Sequence, residues 1–550
     1  MFVVAHAMDH RTIAGLLAAG VLATGVFYGT TVAGGSDSYG YVSQADLWTH
    51  GWPKIDQQWV RAFPWPYREE SLGPLGYRPG MRFGEATALV PIYSAGYPLL
   101  MALAKVAGGQ EAMFWVAPMA GAVLVLATFG IGRRLGSSHA GLVGAWLVAT
   151  SPAVLSAVVA PMSDVVTAAA WGAAVYFVLR GRKSGAVVAG LCAGVAILVR
   201  PNLVMLAAIL GIWYVIRLWK DGPGARRDAL LEGALFSVGV SAGATAVAII
   251  GQQLYGSPFL SGYGPVNAWF ETGRVWPNAK NYGRWLVESQ TPLVFLGLAI
   301  LVPHRALWPR VNRSILGIAA AFVAAVWTMY LLYLVFDAWW FLRFLLPTWP
   351  FIMVGVGAVA ACGLRSRSRV AQFATAGLVV LLGVHGLRFA IDQHIFQTWK
   401  YERRYPSVAL QIRPLTDRNS VFLSMMHSGS LRYYAGRMSV RYDWLPSGWL
   451  DIAVAWFSDH GMHPYMLVDE DELTLVRARF PAQHTLAVLD RAPVFVYHGQ
   501  QTVLLFDLSP SPAAPLQPPR TFDETFRHLR SVPPAPPPRL IFPPGTVAIP

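Results

Sequence analysis

The chain has 550 residues, of which 55% are hydrophobic and only 13% charged, well below the roughly 25% charged residues of soluble domains. That composition excludes a soluble enzyme and indicates an integral membrane protein. The formal charge of +14 falls almost entirely within the first 390 residues, a distribution set by membrane topology rather than the one-sided basic footprint that nucleic-acid binding needs.

A helix needs about 20 apolar residues to cross a bilayer. On that measure the sequence predicts eleven spans, over residues 11–33, 113–132, 140–160, 163–180, 185–200, 202–218, 230–254, 286–303, 314–336, 344–362 and 370–390. The first begins after His10 and Arg11 and ends near Val32-Ala33-Gly34, a pattern shared with secretory signal peptides. It reads as a retained signal anchor, because cleavage there would free Asp37 from the span that positions it. The eighth has a polar first turn, Glu288, Ser289 and Gln290, with Pro292 close to its start. It is kept as a crossing because otherwise the charges that follow it would lie on the wrong side.

The short loops alternate between Arg-rich and Arg-free. Arg133 and Arg134; Arg180, Arg182 and Lys183; Arg217, Lys220, Arg226 and Arg227; Arg305, Arg310 and Arg313; and Arg365, Arg367 and Arg369 each follow every second span. The positive-inside bias places these clusters, with Arg11, in the cytoplasm, so the odd span count carries the C-terminus outside. The expected location is a bacterial inner membrane.

Between the first two spans, residues 34–112 form a long outward loop. Residues 51–90 are too polar to cross and too aromatic for a flexible linker, with Trp52, Trp59, Phe63, Trp65 and Tyr67. Because Trp and Tyr favour the membrane-water boundary, this loop is expected to lie there, with short helices over 38–50 and 92–107. From residue 391 the composition becomes that of a soluble domain. The short apolar runs starting at Ser420, Tyr465, Val494 and Thr502 read as strands and residues 446–461 and 470–480 as helices, so 391–508 is expected to be a small α/β domain. Residues 509–550 are Pro-rich and expected to be an extended tail.

Two short outward turns break the charge rule by carrying a cation, Arg200 in Leu198-Val199-Arg200-Pro201-Asn202 and Arg343 in Trp339-Trp340-Phe341-Leu342-Arg343. On the same side stands Asp37, in Gly34-Gly35-Ser36-Asp37-Ser38-Tyr39-Gly40-Tyr41. Each has an ordinary explanation: Asp37 or Ser36 as a helix N-cap, each Arg snorkelling to lipid headgroups. The alternative is a site, with Asp37 as a general base and the planar guanidiniums gripping a lipid-linked phosphate. Glu85, Asp164 and Asp337 are supporting acids on that side, Asp164 also fitting as an N-cap of the fourth span. The segment from Tyr255 to Tyr263 has the glycines, proline and aromatics of a sugar-lining loop or of an ordinary anchored one.

Motifs of soluble enzymes are missing: there is no GxxxxGK[ST], HExxH or GxSxG, and Cys192 and Cys362 have no metal-ligand spacing. His427-Ser428-Gly429-Ser430 offers only adjacent residues, which rarely face each other.

The Asp37 turn with Tyr39 and Tyr41, the run Pro91-Ile-Tyr-Ser-Ala-Gly-Tyr-Pro98, the stretch Gly190-Leu-Cys-Ala-Gly-Val-Ala-Ile-Leu-Val-Arg200-Pro201 and Arg343-Phe-Leu-Leu-Pro347 together resemble the GT-C glycosyltransferases over residues 11–390. The nearest groups are bacterial relatives of protein O-mannosyltransferases and of the aminoarabinose transferase acting on lipid A. The resemblance implies a polytopic GT-C-like helical domain, to which the composition adds the extracytoplasmic α/β domain behind it. It also implies sugar transfer, usually with inversion, from a polyprenyl-phosphate donor to a lipid, glycan or protein acceptor on the outer face. Asp37 matches the first-loop catalytic aspartate and Arg200 and Arg343 would hold the departing phosphate, with Tyr41, Glu85, Asp164 and Tyr263 as the supporting candidates read from the residues themselves. Many relatives place a second acid directly after the aspartate, where this chain has Ser38, so no partner for the base and no metal or other cofactor is assigned. The alternatives are a carrier or flippase for lipid-linked sugars and a surface-polysaccharide polymerase or ligase. Transporters favour internal repeats and midplane sites, neither of which this sequence displays.

Overall fold

A computed structural model describes residues 9–81, 87–309, 313–509, 518–526 and 531–542. Among these, seven helices are long and apolar enough to cross a membrane, and eight if the bent pair Ser138–Ala149 and Pro152–Val159 is one span. The pair bends by 54° where Pro152 withholds a backbone donor. Ser151 fills the break: its Oγ accepts from Gln290 Nε2 at 2.8 Å and Trp349 Nε1 at 2.9 Å. A broken helix survives at membrane depth only with such protein partners.

The expected helices 163–180 and 185–200 are present as Ser163–Arg180 and Lys183–Val199, the latter slightly short for a bilayer. The expected span 286–303 is a correction. The chain forms Val275–Gln290, breaks at Thr291 with φ +65°, and continues as the 3-10 helix Pro292–Leu301. Pro292 restricts Thr291 before it and cannot donate, so one continuous helix is ruled out.

Close helix approach rests on small residues. Lys183–Val199 packs backbone to backbone on Pro223–Tyr255 through Gly190, Gly194, Gly239 and Gly243, and a Cβ at Gly194 would overlap the Gly239 carbonyl oxygen.

The long loop after the first span starts with the helix Ser36–Trp48, passes through a three-stranded antiparallel sheet of Ile55–Asp56, Ala88–Pro91 and Tyr77–Pro79, and ends in the helix Gly96–Gly108. Two of its aromatics are turned into the protein. Phe63 and Trp65 are fully buried against Trp456 and Phe457 of the C-terminal domain, with Phe63 and Trp456 rings 4.7 Å apart. Trp52 and Tyr67 of the same loop stay exposed.

The C-terminal domain is a six-stranded mixed sheet in the order Met438–Val440, Ser420–Leu423, His463–Asp469, Val503–Asp507, Phe495–His498, Arg520–Asp523. Helices Arg404–Ile412, Leu450–Asp459 and Leu473–Arg479 accompany it. Two strands were not foreseen, and the last, Arg520–Asp523, lies beyond residue 508. Residues 531–542 form no helix or strand, and Leu540 and Phe542 lie on the domain's core. Cys192 and Cys362 are free thiols.

Candidate active site

The first span ends at Tyr28, and after it Gly34 and Gly35 lead into the helix that begins at Ser36, with Gly35 as its N-cap. Asp37 therefore lies in the first turn, where the positive end of the helix dipole favours a carboxylate. The glycines are required by what packs on them. Gly35 N donates to Glu402 Oε2 at 2.9 Å, and Ala33 N donates to the Tyr434 hydroxyl at 2.7 Å. A Cβ on Gly34 would overlap the Glu402 carboxylate.

Asp37 uses both oxygens. Oδ1 accepts from the Tyr93 hydroxyl at 2.6 Å and Oδ2 from Arg343 Nη2 at 3.1 Å. Burial, then the charge of Asp37, pushes the Tyr93 phenol well above its ordinary value, so it stays a donor. The Tyr93 hydroxyl also pairs with Ser36 Oγ at 3.2 Å.

Arg343 stands in the 3-10 stretch Trp339–Thr348, its guanidinium over the rings of Phe341 at 5.1 Å and Phe344 at 5.5 Å. Its Nε lies 3.9 Å from Asp164 Oδ1. Asp164 is fully buried and receives Arg200 Nη2 at 2.5 Å. Arg200 has left the helical conformation, with φ −139° and ψ 86°, as the following Pro201 favours. It also donates to the Tyr330 hydroxyl at 3.1 Å and to Ser163 Oγ at 3.4 Å, and Ser163 Oγ in turn pairs with the Tyr41 hydroxyl at 3.0 Å.

The result is a row, Asp37, Arg343, Asp164, Arg200, built from four elements, with Asp37 and Arg343 306 positions apart and Asp164 and Arg200 36. Two carboxylates balance two guanidiniums, which lets the group be buried. Aromatic rings wall it: Tyr330 stacks on Phe344 at 5.1 Å, and Tyr41 packs on Tyr93 at 4.7 Å. Such a row can present a carboxylate as a proton acceptor beside two planar cations that suit a phosphate.

Of the residues singled out from sequence, Asp37, Arg200, Arg343, Asp164 and Tyr41 come together. Tyr263 joins at one remove, its ring 6.1 Å from Tyr93. Asp337 is exposed, and Glu85 lies outside the described residues. Asp164 makes no cap hydrogen bond, its carboxylate being turned to Arg200. Sequence reasoning missed Tyr93, Ser163, Tyr330 and Glu402. Tyr93 was within reach, inside the run from Pro91 to Pro98, whereas Tyr330 and Glu402 have no local signature. Among the described residues, no three His, Cys, Asp or Glu side chains are grouped as metal ligands would be. His427 turns Nε2 to Asp469 at 2.9 Å, while Ser428 Oγ donates to Met425 O, so the two make no nucleophile-base pair.

Comparison with known proteins bears on the fold. The dolichyl-phosphate-mannose-protein mannosyltransferase family profile matches residues 91–241. No curated protein sequence matches the chain. Among solved structures, ArnT from Cupriavidus metallidurans bound to undecaprenyl phosphate is similar at 13% identity and TM-score 0.54, covering 92% of this chain and 98% of its own. The Archaeoglobus fulgidus oligosaccharyltransferase in its apo form is similar at 12% identity and TM-score 0.53, with 90% of this chain and 74% of its own covered. AglB from the same organism, in complex with an inhibitory peptide and a dolichol-phosphate, aligns at 11% identity and TM-score 0.52 over 93% of this chain and 75% of its own. Identity this low carries architecture alone: the chain is a multi-pass membrane protein with the GT-C glycosyltransferase fold and a C-terminal domain built on a mixed β-sheet.

Proposed function

We propose that the chain transfers a sugar from a polyprenyl-phosphate donor to an acceptor on the extracytoplasmic face of a bacterial inner membrane, with inversion at the anomeric carbon. The observation that carries this reading is the convergence of Asp37, Arg343, Asp164 and Arg200 in one row. In the proposed reaction Asp37 removes the proton of the acceptor hydroxyl as that oxygen attacks the anomeric carbon. The bond from that carbon to the lipid phosphate breaks, and its electron pair leaves on the phosphate oxygen. Negative charge grows there in the transition state, where Arg200 and Arg343 stabilise it.

Arg343 has two partners in this scheme. Without donor it pairs with Asp37; a phosphate engaging its guanidinium loosens that pair and frees Asp37 Oδ2 for the acceptor. Tyr93 keeps Asp37 aimed through the other oxygen, while Tyr41 and Tyr263 belong to the aromatic wall.

A mobile isoprenoid stays in the lipid while its sugar meets the acceptor, so the reacting centre belongs at the bilayer's outer edge. The positive-inside charge pattern supports placing the row and the C-terminal domain outside and the N-terminus inside. In this reading the domain from residue 391 onward covers the site and selects the acceptor. The test is purified protein given a radiolabelled polyprenyl-phosphate sugar together with membrane extract. Label should pass to a new acceptor in wild type and stay on the lipid in Asp37→Asn. Movement of the intact lipid across proteoliposomes with no change of its bonds would instead mark a carrier.

A further inference from the structure

Away from the charged row, a second cleft opens where the long loop after the first span meets the C-terminal domain. Its lining is Tyr67 from the loop and Arg441, Asp443, Trp444, Pro446 and Arg479 from the domain. Phe63 and Trp65 bury their rings in the same seam, yet Tyr67 and Trp444 stay 61% and 41% exposed, with ring centroids 6.5 Å apart and planes tilted by 54°.

Holding Tyr67 outward has a cost. Its backbone is left-handed, φ +57° and ψ +31°, a region aromatic residues rarely occupy. Strain of that kind persists only where neighbours over-determine it. Here Ser71 N donates to Tyr67 O at 2.9 Å, and Arg68 Nη1 donates to Phe63 O at 3.0 Å. The backbone strain therefore presents an aromatic face to solvent instead of adding it to the nearby core.

Beside the rings stands a planar polar fork. Arg441 pairs with Asp443 through two hydrogen bonds, one from Nε to Oδ1 at 3.1 Å and one from Nη2 to Oδ2, and its guanidinium lies 5.9 Å from the Trp444 ring centre. Arg479 donates from Nε and Nη2 to Leu445 O at 3.2 and 3.0 Å, which fixes the guanidinium at the cleft. The lining thus has two cations and one anion. Exposed rings match the C–H face of a pyranose, the Arg-Asp fork matches adjacent hydroxyls, and the surplus cation favours a negatively charged substituent.

We propose that this cleft binds an acidic saccharide, a sugar unit carrying a carboxylate or phosphate. The seam that holds it continues toward the charged row: Arg441 N donates to Ser71 O at 2.6 Å, Leu75 N donates to Ser428 Oγ at 3.1 Å, and Gly429 packs on Tyr39, two residues from Asp37. The inference stands on the cleft alone and does not require the transfer reaction.

The test is isothermal titration calorimetry of the full chain in nanodiscs with tetragalacturonate, and with maltotetraose as its neutral counterpart. Tetragalacturonate is expected to bind, at least about tenfold more tightly than maltotetraose. Trp444→Ala and Tyr67→Ala should each weaken it by about tenfold or more, and Trp444→Phe, which keeps an aromatic face, should retain most of the affinity. Asp37→Asn should leave it unchanged, separating this cleft from the charged row. The proposal is overturned by no binding of tetragalacturonate, by equal binding of the neutral sugar, by undiminished binding in both alanine variants, or by loss of binding in Asp37→Asn.

Discussion

Arg343 and Asp37 stand 306 positions apart in the chain and 3.1 Å apart in the fold. The ion pair joins the entrance of one span to the exit of another, and it holds a carboxylate whose other oxygen is aimed by Tyr93. Removing only the charge separates the chemistry from this scaffold. Asp37→Asn keeps the shape and an acceptor oxygen for Tyr93, but it cannot take a proton. Transfer should fall by roughly 10²- to 10⁴-fold, the range for a lost general base, with donor binding retained. Single-turnover transfer rates and equilibrium donor binding measure the two separately, and a rate within about threefold of wild type would remove Asp37 from the mechanism.

The two arginines should differ in stability though not in activity. Arg200 neutralises Asp164, whose side chain is 0% exposed, whereas Arg343 faces Asp37, which is 37% exposed. Arg200→Ala leaves a buried carboxylate with a more distant cation, a loss on the order of 3–5 kcal/mol. Arg343→Ala leaves Asp37 open to water and Asp164 still paired with Arg200, so a smaller loss than that of Arg200→Ala is expected. Each should slow transfer by two to three decades, about 2.7–4 kcal/mol of barrier if each acts as one oriented donor to the leaving phosphate. Thermal unfolding in one detergent decides the matter: equal melting of the two variants would refute the buried-carboxylate account.

How far the site was legible follows from this pair. A cation on the side of the membrane that short loops normally leave uncharged is a violation visible in one dimension, so Arg200 and Arg343 stood out, and Asp37 with them. Tyr330 and Glu402 break no rule where they occur. A tyrosine within an apolar span and a glutamate in a soluble segment are ordinary until the chain folds, and their roles come from the backbone and side chains they meet. The same limit applies to the fold. Uninterrupted apolar runs such as Arg313–Leu332 were readable by length. Pro292 inside an apolar run showed where a helix weakens but not that it would split into two elements. Phe63 and Trp65 were recognised as apolar anchors, but nothing local distinguishes a lipid partner from Trp456 and Phe457.

The Gly34–Glu402 contact should show as a rescue. Gly34→Ala places a methyl group where the Glu402 carboxylate sits, tilting the turn that carries Asp37. Glu402→Ala loses the hydrogen bond from Gly35 N, about 1.5–3 kcal/mol for a charged acceptor. Burial pushes the Glu402 carboxyl above its ordinary value, against the pull of that bond, so the true loss lies toward the lower end. In the double variant the methyl group has room. Its transfer rate should exceed that of Gly34→Ala alone, and a double-mutant cycle on rates and melting reads the coupling. Strict additivity would mean that the two residues do not interact.

His463 and Asp507 give the C-terminal sheet a dependence on pH. They belong to neighbouring strands, with Nε2 and Oδ1 2.8 Å apart. The hydrogen bond to Asp507 raises the His463 pKa above its ordinary 6.5, against the effect of burial. Burial would raise Asp507, but the bonds from His463 and Ser509 overcome it and hold the carboxyl below 3.8. A raised histidine value means that its stabilisation is complete below the unfolded value of about 6.5 and is lost as pH rises through the folded one. A lowered aspartate value means that its contribution is present above about 3.9 and is lost as pH falls through the folded one. The pair is therefore strongest between those limits. With side chains 35% and 32% exposed, its effect is small in solvent, so a local readout is needed. Hydrogen exchange of the paired strands, corrected for intrinsic rates, should show protection falling as pH rises above about 6.5. His463→Gln keeps a hydrogen-bond donor without a titrating group and should flatten that profile. A wild-type profile already flat over this range would show that the pair does not stabilise the sheet.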